Sequence, residues 1–419
     1  MFLVYFCIRM NQLQSFPKTA VVGGGAAGFF LAISLKEMCP QMSVTIFERS
    51  QKVLAKVAVS GGGRCNCTNT FADVRDLSSV YPRGHRLLKR LFNIFDYRDA
   101  YIWFERHGVP LVAQDDHCVF PASQSSQTII DCFLRHANRL GVQLVRGVKI
   151  QSIEDLQEFD YVAVTIGGQP KSEGLAWLAQ AGHQIEPPVP SLFSLQVADR
   201  LLCQLMGTVV GSAITSIPAT KFRASGALLL THWGVSGPAV LRLSSYAARW
   251  LNEHHYQCPL SVNWPGLPDA DVARELAMQA MQHPQKQLSS LRPFELPQRL
   301  WTYLLGKCLG EKASCCWAEL SKKDMNRLVN VLCNDTYAID GRAAFKEEFV
   351  TCGGVALSSV SPQTLESRSR PGLFFAGEVL DIDGVTGGFN FQAAWTTAYV
   401  VASAIAQRVE SNNRLNYEQ

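Results

Sequence analysis

Residues 18–48 read KTAVVGGGAAGFFLAISLKEMCPQMSVTIFE. A short apolar run, TAVV, meets Gly23, Gly24 and Gly25, and Gly28 follows at the start of a helical stretch, AAGFFLAISLKEM. SVTIFE is then β-rich and ends on an acid, Glu48. The order is strand, glycine turn, helix, strand, acid. Gly23 permits the tight turn, Gly25 lets the backbone approach a pyrophosphate, and Gly28 lets the helix pack close to the sheet. The helix start, with Ala26 and Ala27, offers free N–H groups and a positive dipole end to phosphates. Glu48, about twenty residues after the last glycine, suits a ribose diol, and Arg49 follows it. An ordinary glycine-rich βα turn would leave Glu48 unexplained. The stretch predicts adenine-dinucleotide binding, without choosing between NAD and FAD.

The far end of the chain makes that choice. Residues 371–400 read PGLFFAGEVLDIDGVTGGFNFQAAWTTAYV. GLFFAGE reads as a buried strand ending in Gly377 and Glu378. A turn-rich segment with Asp381, Gly384, Gly387 and Gly388 leads to Phe389, Asn390 and Phe391, which open a helical stretch. The acid can bind a ribityl hydroxyl. The helix start can place N–H groups at a flavin's pyrimidine edge, where negative charge grows on reduction. A nicotinamide cofactor needs no such second site, so the reading is FAD; the alternative is a plain βα unit with a glycine-rich loop. Between these ends, residues 141–170 close on YVAVTIGG, where Gly167 and Gly168 mark another close backbone approach. Val148 is placed near the adenine ring.

A third stretch, VSGGGRCNCTN at 59–69, is too permissive for a helix and too polar for a core strand. With it, the motifs GGGAAG, SGGGRCNCTN, VFPAS, TIGG, THWGVSGPAVL, TCGGVAL and TLESRSRPGLFFAGEVLDIDGVTGGFNFQAAW occur in that order. Together they resemble the BaiN/RdsA-like, or YhiN-like, family of FAD-dependent oxidoreductases, from about residue 18 to residue 405. The resemblance implies an α/β fold. A Rossmann-like FAD-binding domain in two segments, 17–190 and 341–419, is interrupted by a β-rich domain, 191–265, and a helical part, 266–340. It also implies that residues 60–69 wrap the cofactor near the flavin. There Ser60, Gly61, Gly62 and Gly63 bring backbone amides close, Arg64, Asn66 and Thr68 supply directed hydrogen bonds, and Lys56 adds positive charge. Family members are linked to two chemistries: reduction of conjugated C=C bonds in steroid-like ketones, and reduction of uridine to dihydrouridine in large-subunit ribosomal RNA. The sequence departs from the family pattern at Cys67, at Thr165 and Ile166 in TIGG, and at Ala398. None of these removes a polar group expected to hold FAD.

Reducing a C=C bond needs hydride from the flavin and a proton from an acid. His232, in ALLLTHWGVSGPAVL, has a suitable pKa, although a hydrogen-bonded structural role is the commoner one. Cys65, near the flavin by the resemblance, could donate a proton or simply pack. A Cys65–Cys67 redox pair would close a strained ring. Asn390 and Gln392 are expected to orient flavin or substrate. No metal site is expected, since Cys315, Cys316 and Cys333 lack paired spacing and a nearby His. Ser236 sits in no G-x-S-x-G elbow. No second G-x-G-x-x-G follows a strand, so NAD(P)H is expected as a transient co-substrate in the substrate cavity.

The totals frame these readings. The chain has 419 residues, 47% hydrophobic and 18% charged, with a formal charge of +4. Thirteen irregularly spaced cysteines point to a reducing cytosol rather than a disulfide framework. No secretory signal and no membrane span are expected. Residues 1 to about 16 read as an extension, with Met10 an alternative start. No clustered basic stripe is evident. Lys322, Lys323 and Arg327 could touch RNA, but such residues are more often a solvated helix face. The expected partners are a small-molecule or RNA substrate, with no membrane and no stable nucleic-acid complex; the oligomeric state is left open. Three functions stand against each other: a small-molecule C=C reductase, an RNA-modifying flavoenzyme, and a non-catalytic flavin-bound scaffold.

Overall fold

Strand β1 (Lys18–Val22) is buried along all but its first residue because it lies at the centre of a parallel sheet. A strand covered on both faces reads as a continuous apolar run, as TAVV does. Helix α1 (Ala26–Met38) follows the glycine turn and is buried from Ala27 to Leu35. Strand β2 (Ser43–Glu48) runs parallel to β1, with Val22 opposite Phe47. The computed structural model describes residues 16–343 and 350–417, so the expectation for the N-terminal extension and Met10 lies outside the described residues. Helix α2 (Ala55–Gly63) corrects one expectation, because the segment leading into the triple glycine is helical. It leaves helical geometry from Ser60 to Gly62, where Gly61 and Gly62 take left-handed φ of 56° and 67°. Then come β3 (Thr68–Asn69), α3 (His85–Leu91), α4 (Tyr97–Arg106), β4 (Leu111–Ala113), β5 (Cys118–Pro121), α5 (Ser126–Arg139), β6 (Gln143–Arg146), β7 (Tyr161–Val164) and β8 (Ile185–Ser191). Asp96 and Asp99 form a capping box that starts α4.

Residues Val189–Cys352 form a separate compact unit. Its strands β9 (Leu195–Val197), β10 (Val209–Ser216), β11 (Arg223–Thr231), β12 (Gly234–Ser236) and β13 (Cys258–Asn263) are followed by α6 (Asp269–Gln282), α7 (Gln298–Leu309) and α8 (Lys322–Cys333). Strand β14 (Asp335–Arg342) closes a barrel in the order β10–β11–β12–β9–β14–β13. The sequence reading assigned these residues to the helical part and to the flavin domain. The structure corrects this: Asp335 to Asp340 alternate buried and exposed, the period of a half-buried strand. Asp335 is buried but satisfied, accepting from Trp264 Nε1 at 3.0 Å and Lys307 Nζ at 2.6 Å, and from Tyr337. The expected boundaries were 190/191 and 340/341; the structure divides at 188/189 and 352/353.

The chain returns on β15 (Val350–Val355) and β16 (Leu373–Phe375) and ends in α9 (Phe389–Tyr417). β16 pairs in parallel with β7, which gives the sheet order β16–β7–β1–β2–β6. Two segments far apart in sequence thus share one Rossmann-type parallel sheet. Helix α9 packs on α1, with Trp395 5.2 Å from Phe30 between ring centroids. Among the described residues no helix is long and apolar enough to cross a membrane.

Two buried histidines in this unit set a pH dependence. Burial holds His183 below its ordinary pKa; burial and then neighbouring His107 do the same to His136. His183 Nε2 meets Ser367 Oγ at 2.8 Å, and His136 Nε2 faces the His107 carbonyl at 3.2 Å. Above pH ~6.5 both states are neutral and these groups contribute no slope. Below it the unfolded chain binds protons that the folded chain refuses, so stability falls as pH falls. Each histidine contributes up to about 1.4 kcal/mol per pH unit. His183→Asn is therefore expected to flatten the loss between pH 6.5 and 5 in urea unfolding; an unchanged slope would refute the assignment.

Candidate functional site

The first glycine turn is dictated by close approach. Gly23 has φ +119°, and a Cβ there would lie 2.5 Å from the Thr165 carbonyl oxygen. A Cβ on Gly28 would lie 2.0 Å from the Gly23 oxygen and 2.8 Å from Thr165 Oγ1. A Cβ on Gly25 would meet nothing within 4 Å. Gly25 is also the N-cap of α1, with no side chain bonded to the helix end. The first N–H groups of a helix have no intrahelical partner, so Ala26, Ala27 and Gly28 present donors beside open space. Glu48 fastens this turn: its Oε2 accepts from Gly24 N at 2.8 Å and its Oε1 from Ser50 N at 2.9 Å. Each oxygen keeps a lone pair for a diol. Arg49 is exposed beside it, and Val148, 38% exposed, donates its N–H to the Glu48 carbonyl at 3.0 Å.

The C-terminal glycine segment meets the same turn. Gly377 has φ +77°, and a Cβ there would lie 2.9 Å from Ala27 Cβ. Glu378 pairs with Lys56 at 2.7 Å, and its Oε2 is 3.8 Å from where Gly167 would carry a Cβ. Gly168 follows, half-buried, and half-buried Asp381 donates its N–H to the Val355 carbonyl at 3.0 Å. TIGG, FAGE and the α1 N-terminus therefore converge.

The loop 60–69 is tied to Gly387 and Gly388. Asn69 Nδ2 donates to the Gly387 carbonyl at 3.0 Å. A Cβ on Gly388 would lie 2.2 Å from the Thr68 oxygen. With its amide oxygen toward Gly388, Asn66 accepts from that N–H at 3.2 Å and donates to the Thr68 carbonyl at 2.8 Å. A Cβ on Gly62 or Gly63 would meet nothing within 4 Å, so both expose backbone to open space. Ser60 Oγ donates to the Val57 carbonyl at 2.9 Å. Arg64 folds over the Phe120 ring at 4.2 Å. Asn390 closes the glycine turn on itself, accepting from Gly384 N and donating to Gly384 O, both at 2.8 Å.

Several side chains expected at a ligand point elsewhere. Thr68 is buried, and its hydroxyl donates to Gln392 Oε1 at 2.6 Å. Gln392 in turn donates to Thr396 at 3.1 Å, so both belong to the core. Phe389 packs edge-on against Phe71 and Tyr81, and Phe391 stacks on Trp395. These two offer a ligand backbone rather than rings. Cys65 is fully buried with its sulfur 3.9 Å from that of Cys67, so it cannot reach a substrate as an acid. Burial pushes the Cys67 thiol well up. His232 lies in the barrel unit, exposed in the turn between β11 and β12 against Trp233.

Sequence reasoning missed the residues that fix the second glycine segment. Arg83 binds Asp383 through Nε and a terminal nitrogen. Tyr81 donates to the Phe389 carbonyl at 2.8 Å, and Gly84 lies against Ile382. The only signal was Arg83 within YPRG, which carries no motif. A cavity of about 240 Å³ beside Thr68 and Asn69 is lined further by Tyr97, Arg98 and Tyr101. Among the described residues no cluster of His, Cys, Asp and Glu could hold a metal ion. An extended dinucleotide fits the rest: an uncapped helix end, open space at Gly25, Gly62 and Gly63, and an acid beside the turn.

Comparison with known proteins bears on this arrangement. The family described as HI0933-like protein Rossmann domain matches residues 17–404. The ribosomal RNA dihydrouridine synthase of Escherichia coli is 29% identical, over 91% of this chain and 96% of that protein. That of Haemophilus influenzae is 26% identical, over 94% and 100%. The 3-dehydro-bile acid delta(4,6)-reductase of Clostridium scindens is 24% identical, over 93% and 99%. Among solved structures, 3-ketosteroid delta1-dehydrogenase from Sterolibacterium denitrificans, in complex with 1,4-androstadiene-3,17-dione, has a TM-score of 0.50. It is 12% identical and covers 94% of this chain and 100% of that one, a likeness of fold alone. The family match takes in both glycine segments and everything between them, so the chain belongs to the HI0933-like family of FAD-dependent oxidoreductases, the family its motifs resemble.

Proposed function

We propose that the protein reduces a carbon–carbon double bond conjugated to a carbonyl, drawing electrons from NAD(P)H through bound FAD, and that its acceptor is uridine in ribosomal RNA. The observation that carries the reading is the meeting of Gly377 with Ala27 and of Gly388 with Thr68, which joins two distant glycine segments around one cradle. Bound FAD supplies hydride from its flavin ring to the substrate.

The residues divide the work of holding it. The α1 N-terminus, with Gly25 and the amides of Ala26 and Ala27, takes the pyrophosphate, and Glu48 takes the adenosine ribose. Lys56 and Glu378, which pair with each other, would flank the ribityl chain. The backbone from Gly387 to Asn390 places donors and the positive end of α9 at the ring edge where charge grows. Of the two acids expected from the sequence, Cys65 is buried and His232 lies in the separate barrel unit, so proton delivery is assigned to neither. The uracil ring of uridine is a conjugated C=C acceptor, so the RNA reading and the steroid-like reading share one chemistry. The RNA acceptor is favoured because two relatives named for it, at 29% and 26% identity, align over 96% or more of their length. The small-molecule reading is supported by the relative at 24%.

The test is anaerobic. NADH or NADPH is expected to bleach the purified yellow protein. An unmodified ribosomal RNA transcript is then expected to restore the colour and to acquire dihydrouridine. Recovery with a steroid enone but not with RNA would leave the reductase and remove the RNA acceptor. Protein that cannot take up FAD would remove both.

A further inference from the structure

We propose that the exposed basic face of α3 docks the sugar–phosphate backbone of RNA beside the cofactor cradle. This rests on the RNA reading above. Helix α3 has the sequence HRLLKRL. Leu87, Leu88 and Leu91 are buried, while Arg86, Lys89 and Arg90 are exposed. Positions 86, 89 and 90 are spaced i, i+3 and i+4, so they form one face, and exposed Asn93 extends it past the helix end. No Asp or Glu occurs between Asp76 and Asp96. Among the described ion pairs and hydrogen bonds, none involves the side chain of Arg86, Lys89 or Arg90; Asp76 senses Lys89 and His85 only weakly, after its own bonds to Ser78. Like charges at these spacings repel one another. The face therefore carries an electrostatic cost that an anionic partner removes.

Its position ties it to the site. Gly84 caps α3 with φ +80°, and a Cβ there would lie 2.6 Å from Ile382. The preceding residue, Arg83, holds Asp383. The helix thus starts where the chain packs against the segment that leads to Gly387 and Gly388. Seven residues of helix span about 10 Å, enough for a few phosphates of one strand. A membrane surface fits less well. Interfacial basic helices expose an apolar side to lipid, whereas the leucine side of α3 is buried in the protein. The stripe was invisible in the sequence because three cations among leucines form a cluster only once the helix is placed.

The test compares the FAD-loaded full chain with R86Q/K89Q/R90Q. The probe is a labelled ribosomal RNA transcript titrated between 50 and 200 mM salt, conditions over which phosphate contacts lose affinity steeply. The variant is expected to bind about 10- to 100-fold more weakly, with a salt slope smaller by roughly 2 to 3. Its melting temperature and the bleaching of its flavin by NAD(P)H are expected to be unchanged. Wild-type affinity and slope in the variant would overturn the docking face while leaving the RNA acceptor standing. No RNA binding by the wild type would overturn both. Loss of binding to anionic phospholipid vesicles, with RNA binding intact, would reassign the face to a membrane and overturn the proposal.

Discussion

Gly28→Ala is expected to yield colourless protein and to destabilise it by about 3 kcal/mol or more. The added methyl would sit 2.0 Å from the Gly23 oxygen and 2.8 Å from Thr165 Oγ1. The closer of these is backbone, held by β1 at the sheet's centre, so no rotamer change relieves it; α1 must move off the sheet. That displacement also carries away the donors of Ala26 and Ala27. Gly25→Ala separates fold from binding. Gly25 has φ −96° and ψ −166°, ordinary extended backbone, and its methyl would meet only open space. This variant is expected to keep its stability and to bind FAD about 10- to 100-fold more weakly, a loss of roughly 1.4–2.8 kcal/mol. Urea unfolding and the ratio of bound flavin to protein read both effects. A yellow, fully stable Gly28→Ala protein would remove close packing as the reason for that glycine.

The contrast explains which parts of the molecule were legible in the sequence. The β1–turn–α1–β2 unit was readable because each constraint falls on an element that the local pattern already defines. The pairing of the two ends was inferred from what a long cofactor needs, and Gly377 against Ala27 is that pairing. Side-chain direction was not readable. Cys65 takes a left-handed φ of 61°, uncommon for a residue with a side chain, and the thiols of Cys65 and Cys67 are buried together. Thr68 likewise turns inward, toward Gln392, a partner 324 positions away. Strand β14 was hidden for a related reason. Its alternation follows directly on a helix, and its partners β9 and β13 lie well before it in the chain.

Arg83→Met is expected to cost about 3–5 kcal/mol, the range for breaking a buried pair from one side. Asp383 is fully buried, and both its oxygens face the Arg83 guanidinium in a two-point contact. Removing the cation leaves the buried carboxylate without its guanidinium partner. Asp383→Asn is expected to cost less, because the amide keeps the shape and Arg83 retains 13% exposure of its side chain. In R83M/D383L both charges are gone, and much of the loss is expected to return, since apolar replacement of a buried pair is often neutral. The pair would then matter chiefly for position: Asp383 stands between Ile382 and Gly384, where the chain turns toward Gly387 and Gly388. The double variant is therefore expected to regain stability while still binding FAD more weakly than the wild type. Urea unfolding of all four proteins stripped of FAD gives the coupling energy free of differences in ligand occupancy. A coupling above about 1.5 kcal/mol supports the staple. Costs that add within about 0.5 kcal/mol would show that the two side chains act independently and that the pair is no staple for the glycine segment.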